Sequence, residues 1–181
     1  MRADAARNRT RILDTARELL AERGLGMPLD VIAQRAGVGP GSLYRHFPAK
    51  NALVAAVVVD RFSEIIDMGR NLLSKNPPQA LTKFLETLFT WITDDQAMIE
   101  VIAGPPVDLG RIAPDTEREL DELLNQMLIA GHAARTIRDG ITIADVKALL
   151  AVAKTPRHDS VSATRVFHVV IDGLRTQTQR S

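Results

Sequence analysis

Along most of the chain, apolar residues recur three and four positions apart, the spacing that lines one face of an α-helix. Ile12, Leu13, Ala16, Leu19 and Leu20 form a stripe that stops at Gly24, with Arg23 placed to favour the negative end of a helix. From Lys50 to about Ser74 there is no proline and a single glycine, Gly69, and Leu53, Val54, Val57, Val58, Phe62, Ile65, Ile66, Leu72 and Leu73 predict one long helix. Val57-Val58-Val59 alone reads as strand, but no turn residues bound it and the surrounding period stays near 3.6. A further stripe, Leu81 to Ile92, follows Pro77-Pro78, and another runs from Leu120 to Gly131 behind Pro114, Asp115, Glu117 and Glu119, which suit a helix start. Two last helices are predicted, from Ile143 to about Lys154 and from Ser160 to about Gln177. No segment alternates with period two over a strand length. The expected fold is all-α with about nine helices, and without internal repeats.

Composition narrows the class. The 181 residues include no cysteine, which excludes disulfides, thiolate metal sites and thiol nucleophiles. No apolar run approaches the ~18 residues that span a bilayer, and the first residues carry no signal-peptide core. A cytoplasmic protein is expected. The net charge of +1 conceals an asymmetry: nine basic residues face five acidic ones through Lys50, whereas the rest holds fourteen basic and seventeen acidic. A basic head on a slightly acidic body suggests that the head faces a polyanion.

The segment from Pro28 to Phe47 gives that head a shape. Pro28 suits the first position of a helix, Ala33 is small enough for close packing, and Gly37 falls where a helix ends in a left-handed residue. Val38 can plug the turn, Gly39 can cap, and Pro40 can open a second, short helix. Two short helices about a tight glycine turn make a helix-turn-helix, whose second helix enters the major groove. Leu43 and Phe47, four apart, are expected to face inward. Pro40, Gly41, Ser42, Tyr44, Arg45 and His46 are left outward. A glycine admits a phosphate strand, the hydroxyls and His46 can bond phosphate, and Arg45 can address phosphate or guanine. Lys50 can meet a phosphate from the start of the long helix.

Ile32-Ala33, Ala36-Gly37-Val38, Leu43-Tyr44-Arg45-His46-Phe47 and Lys50 together closely resemble the signature of the TetR family of bacterial regulators. The resemblance spans roughly residues 7 to 54, without gaps. It departs from the family at Met27-Pro28, where Thr or Ser is usual, and at Gly39, where Ser is usual, so side-chain phosphate contacts are not expected at 27 and 39 and the grip should lean more on backbone N–H groups and basic residues. The resemblance implies a DNA-binding domain over 1–48 and a helical effector-binding and dimerisation domain over 49–181. It also implies a homodimer on a near-palindromic operator, a small-molecule effector, and more often repression than activation. Arg7, Arg9 and Arg11 are expected either to form a basic arm on the DNA or to lie in a solvated tail.

For the body, the resemblance implies a dimer interface of the last two helices, with Val146, Leu149, Leu150, Val166, Phe167, Val170 and Leu174 as candidates. The apolar excess of the last helix supports this. Phe62, Met68, Phe84, Leu88, Trp91, Met98 and Met127 are candidates to line an effector pocket, since flat rings and flexible thioethers suit apolar ligands; each also reads as plain core. The Gly104–Pro114 loop could gate it. Enzymatic readings fare poorly. Gly37 to Gly41 lacks the strand and Gly-Lys-Ser/Thr of a phosphate loop, and His46, His132, His158 and His168 lack metal-ligand spacing. Neither catalytic residues nor a metal or cofactor are expected. The alternative is a constitutive or activating DNA-binding protein with no effector.

Overall fold

Helix boundaries follow the breaks in the apolar pattern. The computed structural model describes residues 2–94, 113–152 and 160–176, and side chains over 4–91, 113–149 and 165–176. Eight α-helices lie among the described residues. They are α1 (Arg2–Arg23), α2 (Leu29–Arg35), α3 (Pro40–His46), α4 (Lys50–Lys75), α5 (Ala80–Asp94), α6 (Pro114–Ala133), α7 (Ile143–Val152) and α8 (Ser160–Leu174). Pro77–Gln79 forms one 3₁₀ turn between α4 and α5, and no strand occurs among the described residues beyond an isolated bridge, Ile137 to Arg175. The valine triplet 57–59 is helical, because the apolar face on either side of it continues in helical register. No described helix is long and apolar enough to cross a membrane.

Two hydrophobic cores organise these helices. The head core gathers Ile12, Ala16, Leu19 and Leu20 of α1, Met27, Leu29, Ile32, Ala33 and Ala36 around α2, and Leu43 and Phe47 around α3. Leu53 and Val57, from the first half of α4, complete it. The body core starts further along the same helix, at Ile65 and Ile66, and gathers Leu81, Phe84, Leu85 and Leu88 of α5 with Leu123, Leu124, Met127 and Leu128 of α6. Ile137, Val146, Ile171 and Leu174 close its far side. Helix α4 therefore contributes to both cores, and its 26 residues give it a length of roughly 39 Å.

Between the cores, α1 and α4 are tied by charge. Arg17 pairs with Asp60 at 3.1 Å and with Glu64, and Arg61 holds Glu64 from the other side at 2.9 Å. These groups are partly exposed, so each pair is worth well under 1 kcal/mol alone; their value lies in fixing the angle between two helices. Further out, α7 opens on a reciprocal cap. The Thr142 N–H and hydroxyl both donate to Asp145, and the Asp145 N–H donates back to the Thr142 hydroxyl. These bonds hold the Asp145 carboxyl below the usual carboxylate range.

Gly69 explains how α4, α5 and α6 come so close. A Cβ there would stand 2.5 Å from Leu123 Cδ2 and 2.9 Å from Phe84 Cε2, and both side chains are buried. Neither can retreat into solvent. Gly69→Ala should therefore lower stability by about 1–2 kcal/mol, overpacking outweighing the gain in helix propensity. Urea denaturation of the two proteins measures this, and an alanine variant as stable as the parent would contradict the packing described.

Candidate nucleic-acid interface

The turn between α2 and α3 is built from backbone bonds that the local sequence dictates. Helix α2 ends at Arg35, Ala36 remains right-handed, and Gly37 turns left-handed at φ +63°. The Gly37 N–H then bonds Gln34 O at 3.1 Å and the Val38 N–H bonds Ala33 O at 3.0 Å, the paired closure of a Schellman motif. Only glycine takes that φ without a steric cost. Val38 packs against the head core, and Gly39, extended at φ −66° and ψ 146°, caps α3 with Pro40 as its first residue. At the start of α2, Pro28 is the cap rather than the first helical residue, because its extended ψ of 143° leaves Leu29 to begin the helix. Met27 is buried, so its side chain serves the core and not the rim.

Helix α3 divides cleanly. Leu43 is fully buried and Phe47, its C-terminal cap, nearly so. Pro40, Gly41, Tyr44 and Arg45 are exposed, and Ser42 and His46 are half-buried at the edge. Nothing lies within 4 Å of where a Cβ would stand on Gly41, so the space above that backbone is open. Arg45 folds back on its own helix, its Nε donating to Gly41 O at 3.0 Å. Lys50, the first residue of α4, is half-buried and makes no ion pair with any described residue. Six of the seven sequence-predicted rim residues thus lie on α3, and the seventh, Lys50, opens α4.

The first turns of α1 differ from the expectation. Arg7, Arg9 and Arg11 lie in a regular helix that starts at Arg2 and not in a disordered tail, because the apolar face of α1 is anchored in the head core from Ile12 onward. Arg7 pairs with Asp4. The Arg9 guanidinium stands 5.5 Å over the Phe47 ring. Arg11 reaches the carbonyls of Ala36 and Gly37, a role no local pattern announced because its partners lie 25 and 26 residues away. Arg35 is exposed on α2 and adds to the positive face.

The remaining sequence candidates fall in the body. Phe84, Leu88 and Met127 are buried in its core, with Phe62, Met68 and Trp91 partly buried against it. Val146 and Leu174, read from sequence as interface residues, are instead taken into the core of the protomer, since α7 and α8 close over α5 and α6. Phe167 stacks on Phe89 of α5 at 4.1 Å between ring centroids. Leu149 and Val170 are half-buried, while Val166 and Val169 of α8 stand exposed. Met98, most of the Gly104–Pro114 loop and the side chain of Leu150 lie outside the described residues.

Known proteins share this arrangement. The family model described as bacterial regulatory proteins, tetR family, matches residues 12–57, and that of the SbtR-like transcriptional regulator C-terminal domain matches residues 76–176. The TetR transcription regulatory protein of Mycobacterium vanbaalenii is 42% identical, with 96% of this chain and 98% of that one covered and a TM-score of 0.71. A TetR regulator of Streptomyces coelicolor is 30% identical over 94% of this chain and 99% of its own, with a TM-score of 0.67. RolR, solved with resorcinol, shares the fold at 21% identity over 98% of this chain and 92% of its own, with a TM-score of 0.68. Among curated relatives, the regulator UidR of Escherichia coli strain K12 is 38% identical over 60 residues, 33% of this chain. The match spans about a third of that relative, 31% of its length.

Stability of the turn is open to test. Gly37→Val forces a β-branched residue to φ +63° and places its Cβ 3.1 Å from Arg11 Nη2. It should cost about 1–2 kcal/mol or more in urea denaturation. Gly26→Ala, with open space about its Cβ, serves as control and should stay within about 0.5 kcal/mol of the parent. Equal midpoints for the two variants would contradict the turn geometry.

Proposed function

Because the chain belongs to the TetR family of bacterial regulatory proteins, we propose that it is a homodimeric repressor that grips a near-palindromic operator and releases it when a small molecule fills its body. The observation that carries the DNA-binding part is the division of α3. Its apolar side is closed into the head core, and its other side presents open backbone at Gly41 beside Tyr44, Arg45, His46 and Lys50. The surplus of four positive charges through Lys50 supplies long-range attraction to DNA. Such a protein works where the chromosome lies, in the cytoplasm.

In this reading Pro40 and Gly41 let the sugar-phosphate strand approach, Ser42, Tyr44 and His46 donate to phosphates, and Arg45 reads a base or a phosphate. Residues 1–48 serve as the DNA-binding domain and residues 49–181 as the effector and dimerisation domain. The exposed Val166 and Val169 of α8, together with the half-buried Val170 of α8 and Leu149 of α7, are the apolar side chains left for a second copy. Phe62, Met68 and Trp91, at the edge of the body core, are the side chains best placed to meet an apolar effector, with Phe84, Leu88 and Met127 behind them. RolR, a protein of the same fold, is solved with resorcinol, and FadR of Bacillus subtilis with stearoyl-CoA, so this fold admits small molecules of very different size. Release needs only that the effector prefer the arrangement of the two heads that does not fit DNA, and it weakens binding by that preference and no more.

The electrostatic part is tested by fluorescence anisotropy across a salt series, using a duplex selected from random sequence by the protein itself. Affinity should fall steeply with salt, and Lys50→Ala should reduce the slope of log K against log salt by about 1. A salt-independent affinity, or a variant with the parent's slope, would contradict the phosphate contact.

A further inference from the structure

We propose that Arg11 is a positioning residue for DNA recognition: it clamps the turn of the helix-turn-helix from α1 and sets the approach of α3, without touching DNA itself. This rests on the DNA-binding role proposed above. Arg11 Nε and Nη2 both donate to Ala36 O, at 3.2 and 2.5 Å, and Nη2 also donates to Gly37 O at 2.8 Å. Ala36 and Gly37 are the two residues through which α2 reverses into the turn. The Schellman bonds satisfy the carbonyls of Ala33 and Gln34 and leave those of Ala36 and Gly37 without a backbone donor. Arg11 fills that deficit, and its charge stands at the negative end of the α2 dipole.

Fit and sequence position make the clamp specific. The Cβ absent from Gly37 would stand 3.1 Å from Arg11 Nη2, so the guanidinium occupies the side of the turn that glycine leaves free. Helix α3 starts three residues beyond Gly37, and Arg11 bonds the turn from α1 at two successive carbonyls. A peptide plane rotated at Gly37 would redirect α3 relative to α1 and α4. The planar fork of arginine holds two carbonyls at once, which a lysine ammonium on its flexible stem does not reproduce. One edge of the guanidinium is committed to the turn, so it is not the edge a phosphate would meet. Arg9 assists at the other end of α3, over the Phe47 ring.

The experiment compares the full-length parent with Arg11→Ala and Arg11→Lys on two labelled duplexes, one selected from a random pool by the parent and one of scrambled sequence. A positioning role predicts that both variants lose about tenfold in affinity for the selected duplex. It also predicts that they stay within about twofold on the scrambled duplex and keep the parent's salt slope. A phosphate contact predicts the opposite: lysine behaves as the parent, while alanine loses affinity on both duplexes with a slope lower by about 1, and that result overturns the proposal. Variants that match the parent on both duplexes overturn it as well. Should Arg11→Ala be unfolded at the assay temperature, Arg11→Lys, which keeps charge and helix propensity, decides alone. A parent that selects no duplex refutes the DNA-binding role itself, a failure separate from that of the clamp.

Discussion

One helix is buried in two different cores, and the rest of the architecture depends on it. Leu53 and Val57 anchor α4 in the head, and Ile65 and Ile66 anchor it in the body, two helical turns further on. Each such side chain is worth about 1.5–3 kcal/mol of burial, so neither end is readily given up. Its second half carries Gly69 against Phe84 and Leu123, and its first residue is Lys50. The Arg17, Asp60, Glu64 and Arg61 network occupies the stretch between the cores and links α1 to α4. Helix α4 is thus the element that joins the head to Phe62 and Met68 at the edge of the body core.

The head in turn works as a unit because its turn is over-determined. Backbone closure at Gly37 and Val38, the plug of Val38 and the Arg11 fork all fix the same few peptide planes. The geometry of α3 is then inherited by whatever lies on its outer side. Losing hydroxyls at positions 27 and 39 fits this economy: Met27 is spent on the core, and Gly39 leaves the start of α3 bare. What α3 and the start of α4 leave uncovered is the backbone at Gly41 and the cations Arg45 and, in part, Lys50.

What the sequence disclosed and what it withheld follow from the range of the interactions. Gly37, Pro40, Leu43 and Phe47 were legible because a turn and a helix face are settled within a few residues. The long α4 was legible because its apolar period persisted through the valine triplet. Arg11 and Arg17 were not, since their partners stand 25 and 47 residues away and nothing beside them in the chain marks the contact. The same limit governs the body. Val146 and Leu174 read as dimer-interface candidates, yet α7 and α8 turn them into the core built on α5 and α6, while Phe167 finds Phe89. Helical periodicity reveals that a face is buried but not against which neighbour, one's own chain or a second copy.

The central claim is that two such heads, held apart by their bodies, read DNA together. Hydroxyl-radical footprinting on a duplex selected by the protein measures this most directly. The account predicts two protected patches of similar strength, related by the symmetry of the site and centred one helical turn, about 10 base pairs, or a multiple of it apart. A single protected patch at saturation would contradict it.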